Sequence, residues 1–247
     1  MGRSRRRPRL AEWFEEAANS RDHAAYGVWE NATVAARFAA ALIFPATAAP
    51  IAGCLRPAVV VLSGLPGVGK THLARELTTH APVTVISADR VRRILVAFPG
   101  YSDREHQFIH DVCLHLARHG LATQRTVIVD ATNLRHQYRQ RFRDVAQQHH
   151  APCHLVHVDC QEATVRRRLQ QRARGEAVDG SDADESVYEL LQKVAEPFQE
   201  PHLRLRGDGD VSDAARAVLG LLRPPAAAAL SYRPVTWETG TLAGAQL

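Results

Sequence analysis

Residues 58–71 read AVVVLSGLPGVGKT: an apolar run, a glycine-rich turn and the start of an amphipathic segment. The turn has the spacing G-x-x-x-x-G-K-[ST], and its defined positions are Gly64, Gly69, Lys70 and Thr71. Glycines allow the backbone to adopt positive φ, so that successive N–H groups can converge on one anion. A helix that begins near Lys70 adds the positive end of its dipole. The stretch therefore predicts a buried strand, a phosphate-binding loop and a helix.

The two residues that close the motif have distinct expected partners. Lys70 would reach the β- and γ-phosphates of a nucleoside triphosphate and act as a catalytic residue, and the Thr71 hydroxyl would contact Mg²⁺. ATP and Mg²⁺ are therefore the predicted cofactors. A chance glycine turn is the alternative, but the apolar run before the motif and the helical spacing after it favour nucleotide binding. The predicted nucleotide contacts of the loop are Gly64, Leu65, Pro66, Gly67, Val68, Gly69, Lys70 and Thr71.

Composition narrows the class of protein but leaves the partner open. The chain has 247 residues, 45% of them hydrophobic, which is enough for one α/β domain with appended segments. Its formal charge of +5 fits a nucleic acid or a phosphorylated small molecule. Lys70 and Lys193 are the only lysines, so the arginine-rich basic count is not by itself a nucleic-acid signal. The four cysteines form no C-x-x-C pair, which predicts reduced thiols rather than disulfides or a zinc site.

Strands and helices are expected to alternate along the middle of the chain. Apolar runs predict strands at residues 58–63, 83–87, 126–130, 154–159 and 203–206. Helical spacing predicts helices at about 70–80, from 88 onward, and at about 103–119, 135–149, 162–175, 186–195 and 211–222. This alternation predicts a three-layer α/β fold with a parallel five-stranded sheet. Ligands bind at the carboxyl ends of such strands, which places the phosphate loop, Asp89 and Asp130 around one crevice.

The segments on either side of this core are expected to be appendages. Residues 1–50 are predicted to form a basic N-terminus, helices at about 10–18 and 24–44, and an Ala/Pro linker. Residues 57–222 would form the main domain. Residues 223–247 are rich in alanine, proline and glycine and predict a flexible tail.

An apolar stretch in the N-terminal segment has a second interpretation. Residues 38–53 carry no charge and are followed by Cys54, which resembles a lipoprotein cleavage site. The polar region before this stretch is long and contains several acidic residues, and two prolines interrupt the stretch. We therefore expect a cytoplasmic protein without a membrane segment.

A carboxylate and a guanidinium follow the second predicted strand. Asp89 and Arg92 share a helix face because they are three residues apart. A carboxylate near a phosphate loop can accept the proton of an attacking hydroxyl, and an arginine beside it can hold a substrate phosphate. Asp89 is therefore a candidate catalytic residue and Arg92 a candidate substrate contact. The spacing fits equally well a helix cap followed by solvated arginines.

Polar residues also end the third predicted strand. Asp130 can hold the Mg²⁺ shell through water or orient the acceptor, and Thr132 and Asn133 are further candidate substrate contacts. The alternative is a turn at the strand end in which these side chains cap the next helix.

The stretch 166–174 is rich in arginine and follows the fourth predicted strand. Arg168 and Arg172 lie one helical turn apart on the same face. Arginines of a mobile lid can stabilise the charge that spreads over the γ-phosphate oxygens during transfer, and Gly175 is suitable as a hinge. Both arginines are therefore candidate catalytic residues, and Arg172 is also a candidate nucleotide contact. A solvated basic helix is the alternative.

Together these motifs resemble the AAA_33 group of phosphate-loop kinases. The resemblance rests on residues 64–71, on SADRVR at 87–92, on VDATNL at 129–134, and on Arg168, Arg172 and SDAD at 181–184. The group is similar to the kinase domain of polynucleotide 5′-kinases and, more distantly, to zeta toxins and chloramphenicol phosphotransferases. The likeness covers about residues 57–222.

The resemblance implies a nucleotide-kinase-like P-loop NTPase fold with a helical lid, to which the N-terminal helices are an appendage. It also implies ATP-dependent phosphate transfer to a polynucleotide 5′-hydroxyl or a small-molecule hydroxyl. By the same resemblance Asp89 acts as general base, Arg92 grips an acceptor phosphate, and Arg168 and Arg172 clamp the ATP phosphates. An NTP hydrolase and a nucleotide-gated binding module are the alternatives, and the sequence gives no indication of oligomeric state.

Overall fold

The computed structural model describes residues 31–44, 55–176 and 183–223. Within these ranges five strands form one parallel sheet in the order β2-β3-β1-β4-β5. The strands are β1 (Val59–Ser63), β2 (Val83–Ser87), β3 (Thr126–Asp130), β4 (Cys153–Asp159) and β5 (Leu203–Arg206). The predicted parallel five-stranded α/β sheet is therefore confirmed, although β1 begins one residue later and β4 one residue earlier than expected.

Eight helices connect or flank these strands in the described part of the chain. They are α1 (Ala32–Ile43), α2 (Lys70–His80), α3 (Ala88–Leu95), α4 (Asp103–Ala122), α5 (His136–Gln148), α6 (Glu162–Ala173), α7 (Glu185–Val194) and α8 (Val211–Leu222). The bounds of α2 and α8 are those that the helical spacing predicts, and those of α4 to α7 differ by a few residues. Within the same ranges, no helix combines the length and apolarity needed to cross a membrane.

The helix α1 lies within the segment that the sequence marks as an appendage. It begins where the Asn31 side chain accepts hydrogen bonds from the first backbone N–H groups, at 3.1 and 3.2 Å. Residues 24–30 of the predicted second helix, and the whole predicted helix at 10–18, lie outside the described residues. The buried alanines of α1 pack along α4 in the same hydrophobic cluster as β1 and β3. This helix therefore covers part of the sheet.

The strand β1 is the centre of the fold, and all five of its residues are buried. Val59 and Val61 face the cluster formed with α1, α4 and α5, whereas Val60 and Leu62 face the cluster formed with α2, α6 and α8. A strand covered on both faces has an unbroken apolar sequence, which explains the run of valines before the phosphate loop. The loop therefore starts from the most buried strand of the sheet.

A buried ion pair joins α5 to the segment that enters β5. Arg139 is fully buried, and its Nε and Nη2 donate to the two carboxylate oxygens of Glu200 at 3.1 and 3.2 Å. The guanidinium also donates to the Asn133 carbonyl at 3.2 Å and stacks 4.1 Å above the Phe198 ring. Burial alone would raise the pKa of Glu200, but the hydrogen bonds and charge of Arg139 lower it to about 2. The pair thus remains ionised and holds residues 195–202 against the sheet.

Candidate active site

The phosphate loop turns sharply at the carboxyl end of β1. Gly64 has a φ of +150°, and a Cβ at this position would lie 2.2 Å from the Val158 carbonyl oxygen. A larger residue would therefore require β4 to move. The helix α2 begins at the end of the loop, and the first N–H groups of a helix have no acceptor within it. Backbone geometry and helix dipole together suit an anion such as phosphate.

Lys70 lies within this loop rather than in solvent. Its side chain is buried, and its Nζ donates to the carbonyl oxygens of Gly64 at 2.9 Å and Leu65 at 2.8 Å. These hydrogen bonds hold the ammonium beside the first residues of the loop. The position fits the contact with the β- and γ-phosphates expected of this motif, and that contact stays a prediction.

Thr71 and Asp130 meet at the base of the loop. Thr71 Oγ1 donates to Asp130 Oδ2 at 2.8 Å, and Asp130 ends β3, the strand next to β1. Mg²⁺ in nucleotide sites takes one or two oxygen ligands from the protein and the rest from phosphates and water. A hydroxyl and a carboxylate side by side fit an ion of this kind. The residues present are therefore suited to the predicted Mg²⁺.

The electrostatics of this corner favour a cation. Burial raises the pKa of Asp130, whereas the Lys70 charge and the Thr71 hydrogen bond lower it. The Asp89 carboxylate also contributes to raising the pKa of Asp130. A positive ion bound here would be attracted by both carboxylates.

Asp89 lies in the first turn of α3, directly after β2. The side chain that caps this helix is Ser87, whose Oγ accepts from the Arg90 N–H at 3.4 Å. The Asp89 side chain is 44% exposed and has the Arg92 Nη1 at 3.4 Å. Ser87 also pairs with Asp130 in the sheet, so the two strand ends are adjacent. These positions favour a place in the crevice for Asp89 over the capping role that the sequence left open.

Arg92 is held by a network of side chains. Its side chain is buried, its Nε donates to Glu105 Oε1 at 2.7 Å, and its Nη2 lies 3.2 Å from His106 Nδ1. The Tyr101 ring lies 4.8 Å from the guanidinium carbon. The other Glu105 oxygen accepts from the backbone N–H groups of Gly100 and Tyr101 at 2.8 and 3.0 Å. Arg92 is therefore engaged with the protein rather than open to the crevice.

Glu105 was not among the residues singled out from the sequence. The available signal was the spacing S-x-x-E at residues 102–105, which indicates a capping box. Ser102 Oγ does accept from the Glu105 N–H at 3.2 Å. One Glu105 oxygen bonds the backbone just before the helix and the other bonds Arg92, and the second contact depends on the packing of two helices.

The residues after β3 brace the phosphate loop. The Thr132 carbonyl accepts from the Gly64 N–H at 3.0 Å and from Ser63 Oγ at 3.1 Å. Asn133 is buried, and its Nδ2 donates to the Leu62 carbonyl at 2.8 Å. These contacts join the end of β3 to the end of β1. The acceptor contacts predicted for Thr132 and Asn133 stay predictions, and the Asn133 side chain faces the strand rather than the crevice.

The two candidate lid arginines differ in what they reach. Arg168 donates to the Gly67 carbonyl at 3.1 Å and to the Gly207 carbonyl at 3.0 Å. Arg172 donates to the Ala183 carbonyl at 3.4 Å, at the start of the segment that leads to α7. The first arginine therefore touches the phosphate loop directly. The predicted catalytic roles of both stay predictions.

A cavity of about 170 Å³ lies beside the end of the loop, between α2 and the turn after β5. Gly69, His72 and Arg168 form one side of it, and Gly207 forms the other. A Cβ on Gly207 would lie 1.7 Å from the Val68 carbonyl oxygen, so this turn can approach the loop only with glycine. Sequence reasoning missed Gly207, although the G-D-G at 207–209 directly follows a predicted strand.

The described sheet order, the loop after β1 and the carboxylate at the end of β3 define a kinase-like P-loop NTPase. Within this class the chain belongs to the AAA_33 family, described as an AAA domain, which matches residues 59–198. The predicted resemblance to this family is thereby confirmed. A search of curated proteins gave no match.

Two solved structures have a similar fold. The Mycobacterium tuberculosis APS kinase CysC in complex with AMPPNP and APS has a TM-score of 0.52 and 22% identity, over 68% of this chain and 98% of that one. Chaetomium thermophilum Kti12 in complex with ADP-AlF3 has a TM-score of 0.50 and 20% identity, over 66% of this chain and 96% of that one. At these identities the likeness confirms the predicted kinase-like P-loop fold. The specific likeness to polynucleotide kinases is not confirmed.

Proposed function

We propose that the protein is an ATP-dependent kinase that transfers the γ-phosphate to the hydroxyl of an acceptor. The observation that carries the proposal is the order of groups along one sheet edge. The loop with Lys70 follows β1, the Thr71–Asp130 pair joins the loop to β3 at 2.8 Å, and Asp89 follows β2. An NTP hydrolase needs the first two of these groups. A carboxylate that can take the proton of an acceptor hydroxyl is what a kinase requires in addition.

Each of these side chains has a role in the proposed phosphate transfer. The loop N–H groups and Lys70 hold the phosphates, and Thr71 and Asp130 would hold Mg²⁺. When bound, Mg²⁺ neutralises the charge that develops on the phosphate oxygens. Asp89 accepts the acceptor proton as the hydroxyl oxygen bonds to the γ-phosphorus, and the bond from that phosphorus to ADP breaks so that ADP leaves. Arg172 supplies positive charge to the transferred phosphate from the end of α6.

The test is transfer from γ-labelled ATP, with Mg²⁺, to 5′-hydroxyl oligonucleotides and to a pool of small hydroxyl compounds. Asp89→Asn is compared with Asp103→Asn, a matched control in which the exposed carboxylate lies in the first turn of α4. Loss of a general base slows the chemical step by about 10²–10⁴-fold. We therefore expect Asp89→Asn to lose that much kcat at an unchanged KM for ATP, and the control to keep its activity.

Other results would assign other functions. Equal ATP turnover in the wild type and Asp89→Asn, without label on any acceptor, would indicate an NTP hydrolase. Tight ATP binding without turnover in either protein would indicate a nucleotide-gated binding module. Either result would refute the kinase proposal.

A further inference from the structure

A second cavity, of about 460 Å³, opens at the carboxyl ends of β1 and β4. We call it the β1–β4 cavity; its walls include Gly64, Leu65, Leu134 and residues 195–198. We propose that this cavity holds the non-reacting part of the phosphate acceptor, and that the acceptor is an uncharged hydroxyl compound with a ring rather than the end of a nucleic acid. The inference rests on the proposed kinase activity and names the substrate class of that activity.

The cavity lies at the end of the phosphate loop from which a phosphate would be transferred. Its wall residues Gly64 and Leu65 are those whose carbonyl oxygens hold Lys70 Nζ, at 2.9 and 2.8 Å. The 170 Å³ cavity lies at the other end of the loop, beside Gly69 and His72. If the nucleoside of ATP occupies the 170 Å³ cavity, its phosphates extend along the loop toward Gly64 and Leu65. The β1–β4 cavity is then on the side of the acceptor.

The distance from the candidate base to the cavity sets a minimum size for the acceptor. Asp89 follows β2, and β3 separates β2 from β1. Neighbouring strands lie about 4.8 Å apart, so the ends of β2 and β1 are separated by about 10 Å. A molecule that places a hydroxyl near Asp89 and a ring in the cavity therefore has about the length of a nucleoside or a two-ring compound.

The lining of the cavity favours a ring. His157 stacks on Phe198 with the ring centroids 4.7 Å apart and an interplanar angle of 23°, and His202 lies 4.4 Å from Phe198. Tyr188 and Leu65 add further apolar surface. Burial lowers the pKa of His157, which favours the uncharged imidazole. Aromatic and aliphatic walls with few polar groups are typical of small-molecule pockets.

The charges of the lining disfavour a nucleic acid. Its charged residues are Asp159, Glu196 and Arg204, two acidic and one basic. Arg204 forms an ion pair with Asp159, and Glu196 accepts from the His136 N–H. Nucleic-acid sites depend on clustered basic groups that neutralise phosphates. The cavity has no such excess among its lining residues.

The contacts of Arg92, the arginine predicted to grip an acceptor phosphate, also favour an acceptor without a phosphate. Arg92 and Glu105 are both buried and are joined at 2.7 Å. If Arg92 turned to a substrate phosphate, the buried Glu105 carboxylate would lose its charged partner and keep only the N–H groups of Gly100 and Tyr101, which is unfavourable. Its Nη1 instead lies 3.4 Å from Asp89 Oδ1. We therefore assign Arg92 as a positioning residue for the Asp89 carboxylate.

The first experiment compares matched acceptors in the label-transfer assay. Adenosine and thymidine are each compared with their 3′-monophosphates and with 5′-hydroxyl oligonucleotides, alongside uncharged cyclitols, hexoses and phenylalkanols. We expect label on at least one uncharged ring compound, with a kcat/KM at least about tenfold above that of any phosphate-bearing acceptor. Label on none of the uncharged compounds would overturn the inference. Label on oligonucleotides alone would also overturn the inference, but the kinase proposal would stand. If no acceptor were labelled and Asp89→Asn turned over ATP as fast as the wild type, both the inference and the kinase proposal would be refuted.

The second experiment fills the cavity. Ala195 is exposed and lines the β1–β4 cavity, so Ala195→Trp would occupy it without disturbing the core. The matched control is Ala163→Trp, at an exposed position of α6 that does not line this cavity. We expect an increase of about tenfold or more in the acceptor KM for Ala195→Trp alone, at unchanged ATP KM and melting temperature. Equal acceptor KM in both variants would contradict the inference.

The role of Arg92 has its own kinetic signature. Arg92→Met should lower kcat for every acceptor and leave the acceptor KM nearly unchanged, because a displaced base affects the chemical step. A phosphate grip would instead raise KM, and only for acceptors that carry a phosphate. The 3′-monophosphate pairs separate these two results, and the second would overturn the assignment.

Discussion

The two sides of the phosphate loop are held by different kinds of contact. On the nucleotide side, along the phosphate loop and the turn after β5, side chains bond to backbone: Lys70 to the Gly64 carbonyl and Arg168 to those of Gly67 and Gly207. On the acceptor side, toward β2, side chains bond to one another, as in the contact of Arg92 with Glu105. A backbone site is specified by local motif and spacing. A side-chain network depends on partners that the fold brings together, so the acceptor side can vary while the nucleotide side stays the same.

The largest expected effect comes from breaking the buried Arg139–Glu200 pair, which holds part of the β1–β4 cavity wall against the sheet. Arg139→Met would remove the guanidinium from the buried Glu200 carboxylate and leave it with the His136 ring and the Gln199 N–H, which costs about 3–5 kcal/mol of unfolding free energy. Urea denaturation measures this loss. The matched control is Arg143→Met, on the same helix. Arg143 donates to the half-buried, uncharged Gln140 side chain, so its loss should change stability by less than about 1 kcal/mol. Similar losses in both variants would mean that the buried pair has no special structural role.

The next effect tests the nucleotide side. Lys70→Met should lower kcat about 10²–10³-fold, because a preorganised donor to the transferred phosphate is lost. The chain supplies its own control, since Lys193, on α7, is the other lysine and is exposed. Steady-state kinetics with saturating acceptor would compare Lys70→Met with Lys193→Met. An active Lys70→Met protein would contradict the assignment of the loop.

Acid should lower the free energy of unfolding through histidines on α4. Burial, with a smaller contribution from the Arg141 charge, lowers the pKa of His110 from 6.5 to about 4. The unfolded chain therefore binds more protons between these two pH values, so stability falls as the pH is lowered through this window. The expected loss at pH 5 is about 2 kcal/mol relative to pH 7.5. His106 lies on the same helix, and burial followed by the charge of Arg92 lowers its pKa as well.

His110→Phe provides the measurement for this window. His110 packs against the rings of Tyr138 and Phe142, so phenylalanine can replace it without a cavity. The melting temperature of His110→Phe should depend less on pH between 6.5 and 4 than that of the wild type. His149→Phe, at the exposed end of α5, is the control and should keep the wild-type dependence. An unchanged profile for His110→Phe would show that another group causes the acid sensitivity.

The smallest effects separate the two lid arginines. Arg168 bonds the loop and the turn that flank the 170 Å³ cavity, so Arg168→Ala should raise the KM for ATP about tenfold with a smaller change in kcat. Arg172→Ala should lower kcat more than ATP affinity, because its charge acts on the transferred phosphate. Single-turnover kinetics with labelled ATP distinguishes binding from chemistry. Identical effects of the two variants would mean that both act in nucleotide binding.

The features that the sequence predicts lie in local motifs, whereas those that it does not predict are contacts between distant residues. The strand β1, the phosphate loop and α2 were predicted because they lie in one continuous stretch with a defined spacing. The carboxylates at the ends of β2 and β3 were predicted because parallel strands bring their carboxyl ends to one edge. The partner of Arg92 is 13 residues away across an irregular turn, and that of Arg139 is 61 residues away. Neither spacing has a periodic signature, so these pairs and the β1–β4 cavity emerged only with the fold.

The pairing of β1 also has a consequence for the order in which the chain can fold during synthesis. Val59 pairs with Val127 on one side and with Cys153 on the other, so β1 lacks both neighbours when the phosphate loop leaves the ribosome. At about 5–20 residues per second, the wait until β4 has been made is on the order of 10 s. During this interval the run of valines is an unpaired apolar strand open to chaperones or to aggregation. A ligand of the phosphate loop cannot shorten the exposure, because the loop acquires a rigid base only when β4 has been made.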